Sequence, residues 1–338
     1  MHASVAPRPG AWHHRRMIQR RSIALGLLAG LAAPAARGQE SFETFLARVR
    51  QEALAAGVSP GTVDVALTGL THSQRVIELD RRQPEFTITW AEYRDTRLSA
   101  RRVEAGRRAF AQHRALLERI ETRFGVNARV IVAVWGMETN YGSFTGGFNV
   151  IQALATLAWE GRRAAFFRGE LMAALRILDA GHIEVGRMRG SPAGAMGNPQ
   201  FMPTSFERWA VDFDGDGRRD IWDSVPDALA SIANYLATHG WREPGPWGFE
   251  VHLPNGFDTA QADHRDMRPV TRWRALGVRP AAGGVLPSLG GEWAVVIPGL
   301  TRGGTQAFLA GRNFMAIRAY NPSNFYATAV GLLSDLVG

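Results

Sequence analysis

The sequence predicts a mainly α protein carrying one small β-rich insertion, and three observations support that fold class. Apolar residues recur at helix spacing from Ser41 to about Phe124, with Phe42, Phe45, Leu46 and Val49 set against Arg-rich opposite faces. The run from Ala128 to Met137 is apolar apart from Arg129 and opens after Asn127, a residue suited to cap a helix. Between Glu243 and Gly304, Pro and Gly become frequent and only short extended segments stand out.

With 338 residues, 46% of them hydrophobic, the chain is long enough to bury one large core or two modest ones. The net charge of +8 suggests a polyanionic partner until its distribution is considered. Residues 1–38 hold six of the 39 basic residues and no acidic one, so the remainder carries 33 basic against 31 acidic groups. No nucleic-acid partner is expected. The same segment has a basic start ending in Arg20-Arg21, an apolar stretch from Ile23 to Ala33, and small residues offering cleavage at Ala33-Pro34-Ala35 or Ala36-Arg37-Gly38. It reads as a signal peptide over 1–38, with Sec and twin-arginine export both open. Its apolar stretch is about half the ~20 residues a membrane span needs, so an exported, periplasmic protein without a permanent span is expected. The absence of cysteine excludes disulfides, thiol catalysis and a lipidated N-terminal cysteine, and the absence of lysine excludes Schiff-base chemistry.

An N-terminal α domain is expected over 39–125, with the arginines from Arg94 to Arg123 forming a solvated helix face. Helical signals continue from Asn127 to Trp241, broken by Gly-rich turns at Gly146-Gly147 and Gly190 to Gly197 and by an acidic loop from Asp212. A β-rich insertion is expected over 243–304, with extended candidates Phe249–Leu253, Arg268–Thr271 and Trp293–Ile297. Thr305–Phe308 and Ser323–Leu336 are read as a return to helix. The core is thus assigned to 126–242 plus 305–338, with the acidic loop at 212–227.

Glu138 ends the apolar run. Ile131, Val134, Trp135 and Glu138 fall at i, i+3, i+4 and i+7, so the carboxyl is expected to point inward with the core residues. Burial against Trp135 and Met137 and the negative end of the helix dipole both disfavour its ionised form. A glutamic acid kept protonated near neutral pH can give a proton to a leaving oxygen. A solvated helix-end glutamate, or one satisfied by a neighbouring Arg, is the competing reading.

In the acidic loop Asp212, Asp214 and Asp216 alternate, Gly217 supplies the sixth-position turn and Arg218 offers its carbonyl at the seventh. Asp220 and Asp223 follow at the ninth and twelfth, the oxygen-ligand spacing of an EF-hand calcium loop. Asp227, four residues later, is the alternative closing ligand in a longer loop. Hard oxygen donors favour a structural Ca²⁺. His182 and His239 have no partner at ligand spacing and are read as helix-surface residues; zinc-protease, phosphate-loop and nucleophile-elbow motifs are lacking.

The segments Val134-Trp135-Gly136-Met137-Glu138-Thr139-Asn140-Tyr141-Gly142, Ala153-Leu154-Ala155-Thr156-Leu157 and Ala193-Gly194-Ala195-Met196-Gly197-Asn198-Pro199-Gln200-Phe201-Met202-Pro203 resemble the lytic murein transglycosylase B family, glycoside hydrolase family 103. Gln83-Pro84-Glu85-Phe86 with Tyr93-Arg94, Ala233-Asn234-Tyr235 with His239-Gly240-Trp241, and Tyr320-Asn321-Pro322-Ser323-Asn324-Phe325-Tyr326 extend the resemblance in the family's order. It implies a lysozyme-like α-helical core, and cleavage of the β-1,4 bond between N-acetylmuramic acid and N-acetylglucosamine of peptidoglycan strands to leave 1,6-anhydro ends. It also implies that Glu138 is the single acid and base, that no cofactor takes part in catalysis, and that the Asp212 loop is a calcium site better closed by Asp227 than by Asp223. Ser191 and Gln200 are implied near the sugar groups, Tyr93, Tyr235, Tyr320, Asn321 and Tyr326 along the cleft, and Arg162-Arg163 facing the glycan or its acidic stem. Asn198-Pro199 departs from the Tyr-Gly of some members.

Two rival functions remain at this stage. A muramidase hydrolysing the same bond would need a second, water-activating carboxylate such as Glu160 or Glu170. A non-catalytic, calcium-stabilised glycan-binding protein would need no acid.

Overall fold

The computed structural model describes residues 40–81, 88–242 and 245–338. The leader 1–38 and Gln83-Pro84-Glu85-Phe86 lie outside them. Residues 41–338 form one compact unit, mainly α with a small sheet, as the sequence predicts.

Helices α1 (Phe42–Ala55), α2 (Pro60–Leu67) and α3 (Gln74–Arg81) come first. The Ser41 and Ser59 hydroxyls cap α1 and α2 by accepting from Thr44 and Thr62 N–H. Next follow α4 (Trp90–Arg97), opened by a Thr89–Glu92 capping box, then α5 (Ala100–Gln112), α6 (Arg114–Phe124) and α7 (Ala128–Thr139). The short strands β1 (Phe148–Asn149) and β2 (Arg189–Gly190) pair antiparallel around α8 (Val150–Glu160) and α9 (Ala164–Asp179). Helices α10 (Pro203–Trp209) and α11 (Val225–Thr238) flank the acidic loop.

The β-rich segment contributes β3 (Gly248–His252), β4 (Arg268–Pro269), the short helix α12 (Val270–Ala275), β5 (Arg279–Pro280), β6 (Glu292–Val296) and β7 (Ala307–Ala310). They form an antiparallel sheet in the order β4-β6-β7-β3-β5, with Val295 opposite Leu309 and Phe249 opposite Leu309 on the other side. The chain then returns through α13 (Arg312–Tyr320) and α14 (Asn324–Val337).

Two expectations are corrected here. Thr305–Phe308 is not helical: Ala307–Ala310 is a central strand, because four consecutive apolar residues carry no period of their own and both neighbours offer ladder partners. Arg268–Thr271 stays extended only through Pro269, after which Val270 begins α12.

The apolar side chains collect in three cores. Helices α1 and α2 pack with α8 and α9 around Val49, Leu154 and Leu175. Helix α7 packs with α11, α13 and α14 around Ile131, Ile232 and Val330. Trp273 fills the third core beneath the sheet and donates its indole N–H to the Trp293 carbonyl at 2.6 Å.

Helix α7 is buried on every side; only Arg129 is exposed, and Glu138 is partly so. The expected inward face is therefore the whole circumference. Asn127 caps it as predicted, accepting from Arg129 N–H, and Asn140 ends it in the left-handed region at φ 50°. Tyr141 follows at φ 59°, and its ring lies so close to Gly136 that a Cβ there would meet it at 2.5 Å. Only glycine lets this ring fill the space beside the helix.

Candidate active site

The end of α7 and the first turn of α14 bring the proposed acid to its partner. Ser323 caps α14 by accepting from Tyr326 N–H, which sets the Tyr326 phenol to donate to Glu138 Oε1 at 2.6 Å. Helix α4 supplies the opposite wall, where Tyr93 and Arg97 share a face four residues apart and the Arg97 guanidinium lies 5.4 Å from the Tyr93 ring centre. Glu138, Met137, Tyr93, Arg97, Ile88, Asn321, Ser323, Phe325 and Tyr326 enclose a cleft of about 310 Å³.

Burial pushes the Glu138 carboxyl up to about 7, against the opposing pull of the Tyr326 hydrogen bond and of the Arg97 charge. The group is thus poised to exist in both protonation states near neutrality. Burial and the neighbouring Glu138 charge raise Tyr320 and Tyr326 well above the ordinary phenol value, so both stay neutral and Tyr326 remains a donor.

Tyr326→Phe removes the hydrogen bond that favours the carboxylate, so the Glu138 pKa rises. With Glu138 as the general acid that the sequence predicts, the protonated form would be the reactive one, so the alkaline limb of the kcat/KM profile is expected to move to higher pH by about one unit. An unchanged limb would mean that another group sets it.

The other sequence-selected residues are distributed differently. Tyr320 donates to the Pro199 carbonyl at 2.6 Å and Tyr235 to the Ala319 carbonyl at 2.7 Å, and their rings meet each other at 4.7 Å and Phe201 at 5.7–5.8 Å. Their hydroxyls are committed to main-chain carbonyls. Ser191 Oγ accepts from Ala195 N–H at 3.0 Å and from Ala193 N–H, which shapes the turn after β2. Gln200 sits at φ 52° and donates its amide to the Thr145 and Gly197 carbonyls, both at 2.9 Å. Arg162 and Arg163 both pair with the largely buried Asp80.

Neither rival carboxylate lies in the Glu138 cleft. Glu170 accepts from Thr204 Oγ1 and N–H at 2.7 and 2.9 Å, and Glu160 pairs with Arg81 at 2.7 Å. Both have structural partners.

In the acidic loop, carboxylate oxygens of Asp212, Asp214 and Asp227 come within 4.8 Å of one another. Asp227, fully buried, accepts from Phe213, Asp220 and Asp214 N–H at 2.7, 2.8 and 3.3 Å. Asp216 instead caps Arg218 N–H, and Asp223 pairs with Arg187. Burial and the Asp214 charge push the Asp227 carboxyl up, a penalty that a cation among these oxygens would relieve. The all-oxygen donor set fits a hard divalent ion.

Three features escape the sequence reading. His182 is not on a helix surface: it sits in the turn after α9, partly buried, and accepts from Arg219 N–H through Nδ1 at 3.2 Å. The supposedly solvated arginine face sends Arg102 to the Gly136 carbonyl of α7 at 2.8 Å and Arg97 into the cleft. Asn198, read only as a departure, is buried, accepts from the Trp135 indole at 2.8 Å and donates to the Trp222 and Ile221 carbonyls at 2.9 and 3.2 Å. The i, i+4 spacing of Tyr93 and Arg97 was the available signal for the second.

Residues 41–335 match the family model described as Transglycosylase SLT domain. The chain is 34% identical over 255 residues to the membrane-bound lytic murein transglycosylase B of Escherichia coli K12, covering 73% of this chain and 67% of that protein. Among solved structures it is similar to SltB3 from Pseudomonas aeruginosa in complex with NAG-NAM-pentapeptide (TM-score 0.84, 49% identity, 88% of this chain and 79% of that one). The complex of SltB3 with NAG-anhNAM-pentapeptide matches at TM-score 0.84 and 48% identity, with the same coverage. The Escherichia coli lytic transglycosylase Slt35 in complex with calcium matches at TM-score 0.75 and 28% identity, over 87% of this chain and 92% of that one.

Proposed function

The chain belongs to the lytic transglycosylase family defined by the transglycosylase SLT domain, and we propose on that premise that Glu138 alone serves as its acid and base. The enzyme is a peptidoglycan lytic transglycosylase: it cleaves the bond between N-acetylmuramic acid and N-acetylglucosamine without consuming water. One observation carries the assignment of Glu138. It is the only carboxylate lining its cleft among the described residues, and it sits near neutrality there.

Protonated Glu138 gives its proton to the glycosidic oxygen as the C1–O4 bond breaks. The resulting carboxylate, held by the Tyr326 hydroxyl, takes the proton from the muramyl O6 hydroxyl as O6 closes onto C1. The acetamido group assists C1 from the substrate's side. One bond breaks, one forms, and the proton returns to Glu138, so the site needs no second carboxylate. Tyr93 and Asn321 offer polar groups beside the acid, while Tyr235, Tyr320, Ser191 and Gln200 act by fixing the walls. Two complexes of SltB3, with a NAM and with an anhNAM ligand, support this course.

Asp212, Asp214 and Asp227 would hold a structural Ca²⁺, which supplies charge neutralisation to the loop and takes no part in the reaction; calcium in Slt35 supports this reading. The substrate lies outside the cytoplasm, and the basic and apolar pattern of residues 1–38 supports export to the periplasm. Among the described residues no helix is long and apolar enough to cross a membrane.

Digestion of purified sacculi is the direct test. Mass spectrometry is expected to find anhydro-muropeptides, one water lighter than their reducing counterparts. Reducing ends as the primary product would replace the lyase with a hydrolase.

A further inference from the structure

Several arginines of α4 and of the segments around the catalytic helix are held by polar partners. Arg102 is bonded to the Gly136 carbonyl, Arg94 to Asp95 and Gln306, and Arg162 and Arg163 to Asp80. Arg97, partly buried in the wall of the Glu138 cleft, has no ion pair and no side-chain hydrogen bond among the described residues. The Tyr93 ring holds the guanidinium by its face and leaves the N–H donors unused.

A guanidinium with unused donors at the edge of a cleft is available to a ligand, and its planar fork fits a carboxylate by two parallel hydrogen bonds. Glu138 does not fill that role at the start of the reaction, since it must then be protonated. The glycan itself offers only hydroxyls and acetamides. Its anions are the lactyl carboxylate of a muramyl residue stripped of peptide, or the carboxylates of an attached peptide stem.

We propose that Arg97, seated on Tyr93 and opening into the Glu138 cleft, is the specificity residue that recognises a carboxylate carried by the muramyl side of the substrate. The assignment rests on the lytic transglycosylase reading for the identity of the ligand. It gives the anion-recognising role to Arg97, and leaves Arg162 and Arg163 as partners of Asp80. Tyr93 becomes the platform that fixes the guanidinium plane, so the fork meets its carboxylate with little ordering left to do.

Binding in a Glu138→Gln background tests this without turnover. Calorimetry would compare three ligands: a muropeptide strand with intact stems, the same strand after amidase removal of the stems, and a neutral N-acetylglucosamine tetramer. Adding Arg97→Gln is expected to weaken binding of a carboxylate-bearing strand about 10- to 100-fold, and of the neutral tetramer by less than about 3-fold. Arg97→Lys keeps the charge but not the fork and should recover part of the loss. A loss confined to the intact strand identifies a stem carboxylate; a loss confined to the stripped strand identifies the lactyl group. Equal losses on all three ligands would reduce Arg97 to a support for Tyr93 and overturn the proposal, as would unchanged binding of both carboxylate-bearing strands. Failure to find anhydro products in the sacculus digest would strike the reaction assigned to Glu138 and leave this binding result standing.

Discussion

Glu138→Gln is expected to lower strand cleavage by about 10²–10⁴ while glycan binding persists, because the amide keeps the side chain's shape and cannot move a proton. The same substitution should stabilise the fold at alkaline pH. Burial holds the folded pKa near 7, against an ordinary value of 4.5. Between those values the unfolded chain has released a proton that the folded chain still holds, so stability falls as pH rises, by up to about 3 kcal/mol in all. Below pH 4.5 the group is neutral in both states and contributes nothing of this kind. The variant is therefore expected to melt above the wild type at pH 8 and level with it at pH 4. Undiminished cleavage by the variant would remove Glu138 from the mechanism, and a non-catalytic glycan binder would show no cleavage to lose.

The second large effect belongs to the acidic loop. Asp227→Ala orphans three backbone N–H groups that converge on one buried carboxylate, and is expected to cost about 2–4 kcal/mol of folding stability. Asp223→Ala removes only its surface pair with Arg187, and should cost less than about 1 kcal/mol. With calcium the contrast widens. The wild type and the Asp223 variant are expected to melt higher in millimolar Ca²⁺ than in chelator, whereas the Asp227 variant should not respond. Denaturant titration and melting curves in both solutions check the pair. A calcium response that survives in the Asp227 variant but disappears in the Asp223 variant would move the closing ligand four residues back.

The helical halves, the inserted sheet and the raised pKa of Glu138 were legible because each rests on short-range information. Asn127 announces its helix, the alternating aspartates announce their loop, and Pro and Gly announce the change of architecture after Trp241. What remained hidden depends on groups far apart in sequence. Nothing near Thr305 shows that β6 and β3 will lie on either side of Ala307–Ala310. Nothing near Asn198 shows that the Trp135 indole and two loop carbonyls will converge on one amide. The arginines of α4 and α5 look alike along the chain, and only packing against α7 separates the one bonded into a helix from the one facing the cleft. Tyr235 and Tyr320 were selected as cleft residues, but whether a hydroxyl faces a ligand or a main-chain carbonyl is decided by the tertiary fold.

Helix α7 meets solvent through Arg129 and, partly, Glu138, and is otherwise encased. The backbone that carries this carboxyl cannot shift toward a substrate without disturbing the centre of the molecule. The approach between this carboxyl and a leaving oxygen is therefore expected to come from how the strand seats in the cleft rather than from movement of α7. The protein behaves as an anvil rather than a pair of jaws. Strands that seat differently against that fixed point are then expected to differ in turnover.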